Sequence, residues 1–210
     1  MVLRMQAASD FDRVTSDIAI WQGYDPGVKA ELYSTCLATP DGMYLVDPIP
    51  LQKPAVQRLI GSAPVAGIIV TNSNHCRAAA AFAQQFSASI LAHIGVYPNN
   101  QPRQLKQVVD GEEVCDGLRV ISIDGAVPGE IVLHYAPNSG TLIVGDALIN
   151  FEPYAFAFLP AKYCSNQKQM RRSLRKLLDY KADQMFFAHG TPILADASER
   201  LQQLLDSQSS

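Results

Sequence analysis

The sequence predicts an α/β fold, a four-layer αββα sandwich in which two mixed β-sheets pack face to face and helices cover both outer faces. Three observations lead there. Apolar runs of strand length alternate with helix-length segments along the chain. Each half runs from strands to helices, the order expected when each of two sheets carries its own helical cover. Polar residues stand at the ends of the apolar runs, at Asp47, Asn72 to Arg77, Glu130, Asp146 and His189, where a sheet edge can carry a site. At 210 residues the chain is long enough for a sizeable core, and 1–210 is read as a single domain.

Each element follows from local pattern. Residues 31–38 and 43–47 read as strands joined through Pro40-Asp41-Gly42, a hairpin turn by composition, so the chain starts antiparallel. A helix over 55–60 is opened by Pro54, whose missing N–H costs nothing in a first turn. The run Val65-Ala66-Gly67-Ile68-Ile69-Val70 is a buried strand, and a polar turn leads from it into a helix from about residue 75 to 86. A short strand over 89–92 and a Pro/Asn-rich link through Pro102 precede a second β region, with strands at 118–123, 131–136 and 141–144. Pro137-Asn138-Ser139-Gly140 turns the chain between the last two. A helix over 166–178, a strand over 184–188 and a terminal helix after Pro192 complete it. No internal repeat or low-complexity linker interrupts this order.

Composition narrows the function classes. With 48% hydrophobic and 18% charged residues the chain is too apolar to be disordered. A net charge of −3 and the lack of a dense basic run argue against a nucleic-acid partner. Arg171, Arg172, Arg175 and Lys176 read as the wet face of a helix. The N-terminal ten residues lack the apolar centre of a signal peptide and no stretch has bilayer-spanning length, so the expectation is a cytoplasmic protein without a membrane partner. Cys36, Cys76, Cys115 and Cys164 lie far apart without CxxC spacing and are expected to be free thiols.

Taken in order, the strand-end sequences LVDP (45–48), TNSNHCR (71–77), VPGE (127–130), GTLIVGDAL (140–148) and FFAHG (186–190) resemble those of the metallo-β-lactamase superfamily, the αββα metallohydrolases that include glyoxalase II. The resemblance spans about residues 18–195, and GDAL and AHG are its most specific parts. It implies a site for two zinc ions, held in the family by a Thr-His-x-His-x-Asp-His turn, a Pro-Gly-His turn, a bridging Asp and a final His. On that pattern Asn72 and Asn74 replace two histidines, Cys76 the aspartate, Arg77 the next histidine, and Glu130 the histidine after Pro-Gly. Asp146 matches the bridging carboxylate and His189 the final histidine, while Asp47 matches a supporting carboxylate.

Plainer readings stand beside these. Asn72 and Asn74 are good N-caps. His75 lies out of the ligand register and reads as an exposed first-turn residue, with a one-residue slip as the alternative. Cys76 reads as a small buried residue. His93 and His134 read as structural histidines. Charge balance favours Arg77 as the replacement cation, its guanidinium reaching Asp146, Glu130 or both. The first expectation is therefore a non-catalytic small-ligand-binding protein or pseudoenzyme without a cofactor. The alternative is a hydrolase of small esters, thioesters or phosphoesters with one zinc on Cys76, Asp146 and His189. A third reading pairs His189 with Asp146 as a metal-free acid and base. The aromatic segment 150–163 is read either as a ligand wall, with Phe151, Tyr154, Phe156 and Phe158 beside an anion anchor at Arg77, or as a homodimer contact. The wall reading favours a small anionic acid or an ester.

Overall fold

The computed structural model describes residues 5–207. The first four residues, part of the N-terminal segment read above, lie outside that range. Strand β1 (Asp12–Arg13) pairs with β2 (Ile18–Asp25), β2 with β3 (Ala30–Thr39) and β3 with β4 (Gly42–Val46), all antiparallel. Helix α1 (Lys53–Ile60) carries the chain to β5 (Val65–Val70), which pairs parallel with β4. Helix α2 (Ala79–Phe86) then leads to β6 (Ile90–Ala92) and β7 (Leu105–Gln107), both added in parallel, giving one mixed seven-stranded sheet. The second sheet holds β8 (Glu113–Cys115), β9 (Leu118–Ser122), β10 (Ile131–Tyr135) and β11 (Thr141–Val144). A hairpin of β12 (Leu148–Phe151) and β13 (Ala155–Phe158) and helix α3 (Gln167–Leu174) follow. The chain returns as β14 (Gln184–Phe187), parallel to β11, and continues into helix α4 (Ala197–Asp206).

Side-chain alternation explains the four layers. In β5, Ile69 faces the second sheet while Ile68 and Val70 face α1 and α2. In β14, Phe186 joins that central layer while Met185 and Phe187 pack toward α3 and α4. Successive strand residues point to opposite faces, so a strand buried on both sides must be apolar throughout. That requirement is why these runs read as continuous. Helix α1 buries Ala55, Val56, Leu59 and Ile60, one face at helical spacing, and the positive φ of Gly61 ends it while its N–H bonds Gln57 O.

Four local expectations change. The chain from 75 to 78 is not helical: Arg77 has φ +30°, a left-handed backbone that breaks the helical path, so α2 begins at Ala79. Strand β2 was not anticipated, although Ile18, Ala19 and Trp21 are all buried and the Trp21 indole donates to Ile49 O at 3.0 Å. The aromatic segment is a hairpin, and its base is tied to the loop after β14: Asn150 N donates to His189 O at 3.1 Å and Thr191 N to Asn150 O at 3.0 Å. The helix expected over 166–178 ends as α3 and tightens into a 3₁₀ stretch, Arg175–Asp179. Among the described residues no helix is long and apolar enough to cross a membrane.

Candidate metal centre

Asp47 follows β4, Thr71 to Arg77 follow β5, Asp146 follows β11 and His189 follows β14; Glu130 precedes β10, which runs antiparallel to β11. All therefore reach the same edge of the sandwich. His75 is at the centre and is buried, 2% exposed, rather than standing on the surface. Its Nδ1 lies 2.8 Å from Asp47 Oδ2 and its Nε2 lies 3.1 Å from Asp146 Oδ1. His189 Nε2 lies 3.1 Å from the same Asp146 oxygen, and Asn74 Nδ2 donates to Asp146 Oδ2 at 3.2 Å. Asp47 is itself held: Thr71 N donates to Oδ1 at 2.8 Å and Thr71 Oγ1 to Oδ2 at 2.5 Å.

Beside this cluster sits a second one, joined to it through Asn72 Nδ2, which lies 3.4 Å from His75 Nδ1. Asn72 Nδ2 donates to Glu130 Oε2 at 2.8 Å, and Ala147 N donates to Glu130 Oε1 at 3.0 Å. Asn72 Oδ1 is taken by Asn74 N at 2.9 Å, a local Asx turn rather than a helix cap. Both clusters close over Gly145. A Cβ there would fall 2.5 Å from Thr71 Oγ1 and 2.8 Å from Glu130 Oε1, so the glycine of GDAL is required by close approach.

Electrostatics follow the geometry. Burial and the Arg77 charge work to lower the His75 pKa, but Asp146 and Asp47 outweigh them and raise it to about 9. Burial would raise Asp146, yet His75 and His189 pull it well below the usual carboxylate range. Asp47 is likewise lowered, its burial overcome by His75, Arg77 and Thr71. Glu130 goes the other way: burial first, then Asp146 nearby, push it up to about 8 against the Ala147 and Asn72 donors. The His75 ring and the Arg77 guanidinium stand against the Asp47 and Asp146 carboxylates, next to a Glu130 carboxyl that favours its proton, so opposite charges are matched in a dry interior.

The family profile described as the metallo-beta-lactamase superfamily matches residues 12–208. The chain belongs to the metallo-β-lactamase superfamily. Solved structures agree in fold. DIM-1 metallo-beta-lactamase superposes with a TM-score of 0.72 at 14% identity, with 100% of both chains covered. A metallo-beta-lactamase from Pontibacter korlensis gives 0.71 at 15% identity, covering 98% of this chain and 100% of that one. An archaeal superfamily protein from Sulfolobus tokodaii gives 0.63 at 13%, covering 99% and 86%. Identities this low speak for the fold alone. No curated protein sequence matches the chain.

Within this metallo-β-lactamase fold the turn holds its residues differently from the expectation. Arg77 does not bond Asp146 or Glu130; its Nη1 donates to the backbone oxygens of Tyr33 at 2.7 Å and Asp47 at 3.1 Å. The left-handed backbone at Arg77 turns the side chain toward the β3 and β4 ends, where it pins the strand that presents Asp47. Cys76 is not a ligand partner of Asp146 and His189: its Sγ faces Ser73 O at 3.7 Å and packs against the core under α1 and α2. The convergent group is His75, Asp146 and His189, with ligand atoms all within 4.8 Å of one another. His75, expected among the pocket residues but as an exposed first-turn side chain outside the ligand register, points inward because the chain from 75 to 78 is not helical. The signal available was chemical: His75 is the imidazole of a turn flanked by carboxylates at two strand ends.

Other expectations resolve simply. His93 Nδ1 accepts from Gly95 N at 3.1 Å, and His134 Nε2 lies 2.9 Å from Lys181 O, so both are structural. Phe158 is buried in the outer core and Phe156 packs on Phe187, so neither is a pocket wall. Phe151 and Tyr154 form an exposed edge-to-face pair with centroids 5.5 Å apart at the hairpin turn. All four cysteines are free, and burial pushes the Cys36 thiol up to about 12.

The two-zinc arrangement of the family does not fit these residues. Glu130 and Asn72 satisfy each other, Arg77 points elsewhere, and Asn is a poor zinc ligand. A single ion fits the convergent group, which offers two imidazoles and one carboxylate.

Proposed function

We propose that the protein has lost two-metal hydrolysis and binds a small molecule at the mouth formed by His189 and Asn74. One observation carries this reading: the buried Asn72–Glu130–Ala147 hydrogen bonds fill one half of the family's bimetallic site with protein groups that saturate each other. Each Glu130 oxygen already accepts a donor, and its buried carboxyl favours the proton that an ion would have to displace. The mouth remains open, since the His189 side chain is 19% exposed and Asn74 lies at the surface. The anionic preference expected from Arg77 loses support, because that guanidinium is turned to the β3 and β4 ends, its Nη1 bonded to backbone oxygens and its Nη2 buried without a hydrogen-bond partner among the described residues. Assays with lactam, thioester and phosphodiester substrates, with and without added zinc, should show no turnover above the uncatalysed rate. Turnover abolished by chelator and restored by two equivalents of zinc per chain would overturn it.

A second reading is a one-metal hydrolase of small esters, thioesters or phosphoesters, favoured by the convergence of His75, Asp146 and His189. A divalent ion there would polarise an ester oxygen and lower the pKa of bound water. His189, partly exposed, is the group placed to meet substrate; Asp47 and Thr71 hold His75 in a fixed orientation. Chelator-sensitive turnover that saturates with one equivalent of metal would separate this reading from the first.

A further inference from the structure

We infer that an uncharged cleft between strand β2 and the N-terminal segment is a second binding site, for a neutral, hydroxyl-rich ligand of mono- or disaccharide size. The cleft encloses about 520 Å³, within the roughly 300–1,000 Å³ of small-molecule sites. Among the described residues its walls are residues 6–9, residues 22–24, Pro26 and Gln52, and none of these belongs to the cluster around Asp146. The backbone fixes those walls. Ala8 N donates to Pro50 O and Gln52 N to Ala8 O, both at 2.9 Å, so the N-terminal segment is tied alongside residues 50–52. Gly23 lets that segment close on β2, since a Cβ there would fall 2.8 Å from Met5 Cε. One side of the cleft is an open strand edge. Ile18 O accepts from Val14 N on the β1 side and Asp17 O from Ala38 N on the β3 side, and this alternation turns the Gln22 and Tyr24 backbone groups outward past the end of β1.

The lining selects the ligand chemistry. It carries three primary amides, Gln6, Gln22 and Gln52, with the Ser9 hydroxyl and the Tyr24 phenol, all exposed and without a side-chain hydrogen bond among the described residues. Gln52 stands at the N-cap of α1 without capping it. An amide both donates and accepts, as a hydroxyl does, so adjacent hydroxyls can satisfy these groups in pairs. The Tyr24 ring, 53% exposed, supplies an apolar face for the C–H groups of a sugar. Among the described residues no acidic or basic side chain lines the cleft, and the Asp25 carboxylate beside it is turned onto Gly27 N at 2.7 Å. A charged ligand would lose hydration there without gaining a partner.

The competing occupant is an extended uncharged peptide laid along the open β2 edge. Titrations of the isotope-labelled full chain with glucose, galactose, maltose and lactose, and separately with N-acetyl-trialanine amide, followed by amide NMR, decide between them. The expected result is that at least one sugar shifts the side-chain amide signals of Gln6, Gln22 and Gln52, with a Kd on the order of 1 mM for so open a cleft. The peptide shifts none of them. Gln22→Ala and Gln52→Ala, both at exposed positions, each weaken sugar binding roughly 2- to 10-fold, the share of one hydrogen bond, and leave the rest of the spectrum in place. No shift with any of the four sugars overturns the inference, as does binding that is undiminished when both glutamines are replaced, or shifts with the peptide alone. Sugar shifts centred on Asn74 and His189 instead of the cleft also overturn it, and would speak for the mouth described under the proposed function.

Discussion

Gly145 shows how far a single residue sets the site. Its α-carbon is where the end of β11 meets the β5 turn, and no side chain can stand there without meeting Thr71 Oγ1 and Glu130 Oε1. Gly145→Ala should destabilise the protein by about 1–3 kcal/mol, the usual range for forcing a methyl into a packed interior. Urea denaturation of parent and variant measures it; an Ala variant of equal midpoint and slope would show that the two clusters part without cost. Backbone conformation matters at the same scale. Asp47 and Arg77 both have positive φ, 48° and 30°, and such strain persists only where neighbours over-determine it. Here Thr71 and His75 hold Asp47, and two carbonyl oxygens hold Arg77.

At the scale of elements, the helices are set by ends as much as by faces. Helix α3 is capped by Asn166, whose side chain accepts from Gln169 N at 3.1 Å, and it packs Met170 and Leu174 onto the second sheet. Asn166→Ala should cost about 0.5–2 kcal/mol, while Asn166→Asp should cost little. Thermal unfolding of the three proteins tests this, and equal midpoints for Ala and Asp would remove the cap from the account. Helix α2 has no such side-chain cap at Ala78, which is consistent with its start being dictated by the turn before it. The β12–β13 hairpin is held the same way, by backbone bonds from Asn150 to the loop carrying His189, and not by its exposed aromatic tip.

For the whole molecule, stability rests on the layer between the sheets. Phe186, Ile143, Leu133 and Val120 from one sheet meet Ile69, Val46 and Leu37 from the other, all nearly inaccessible. Phe186→Ala should therefore cost about 3–5 kcal/mol, whereas Val28→Ala, at an exposed position in the β2–β3 turn, should change stability by about 0.5 kcal/mol or less. Chemical denaturation decides between them; similar losses for both would mean that the central layer is not the source of cooperativity. The same layer fixes the site, because the five strand ends that carry Asp47, Thr71, Glu130, Asp146 and His189 can meet only if the two sheets pack face to face.

The sequence by itself determined the layered architecture, the family, and the places of Asp146 and His189. Continuous apolar runs of strand length such as Val65–Val70 suit strands covered on both faces, and the order of strand-end motifs then selects this arrangement. Strand β2 was legible in principle but hidden by its open outer end, where Gln22 and Tyr24 are exposed. Only the tertiary structure decided that His75 lies inside while Cys76 and Arg77 turn away. Side-chain direction in a helix or strand follows from spacing, but in a turn it follows from each residue's φ and ψ, and these are set by contacts with distant strands. Asp47 and Asp146 reach the turn from elsewhere in the chain, and their charges select the ring that sits between them.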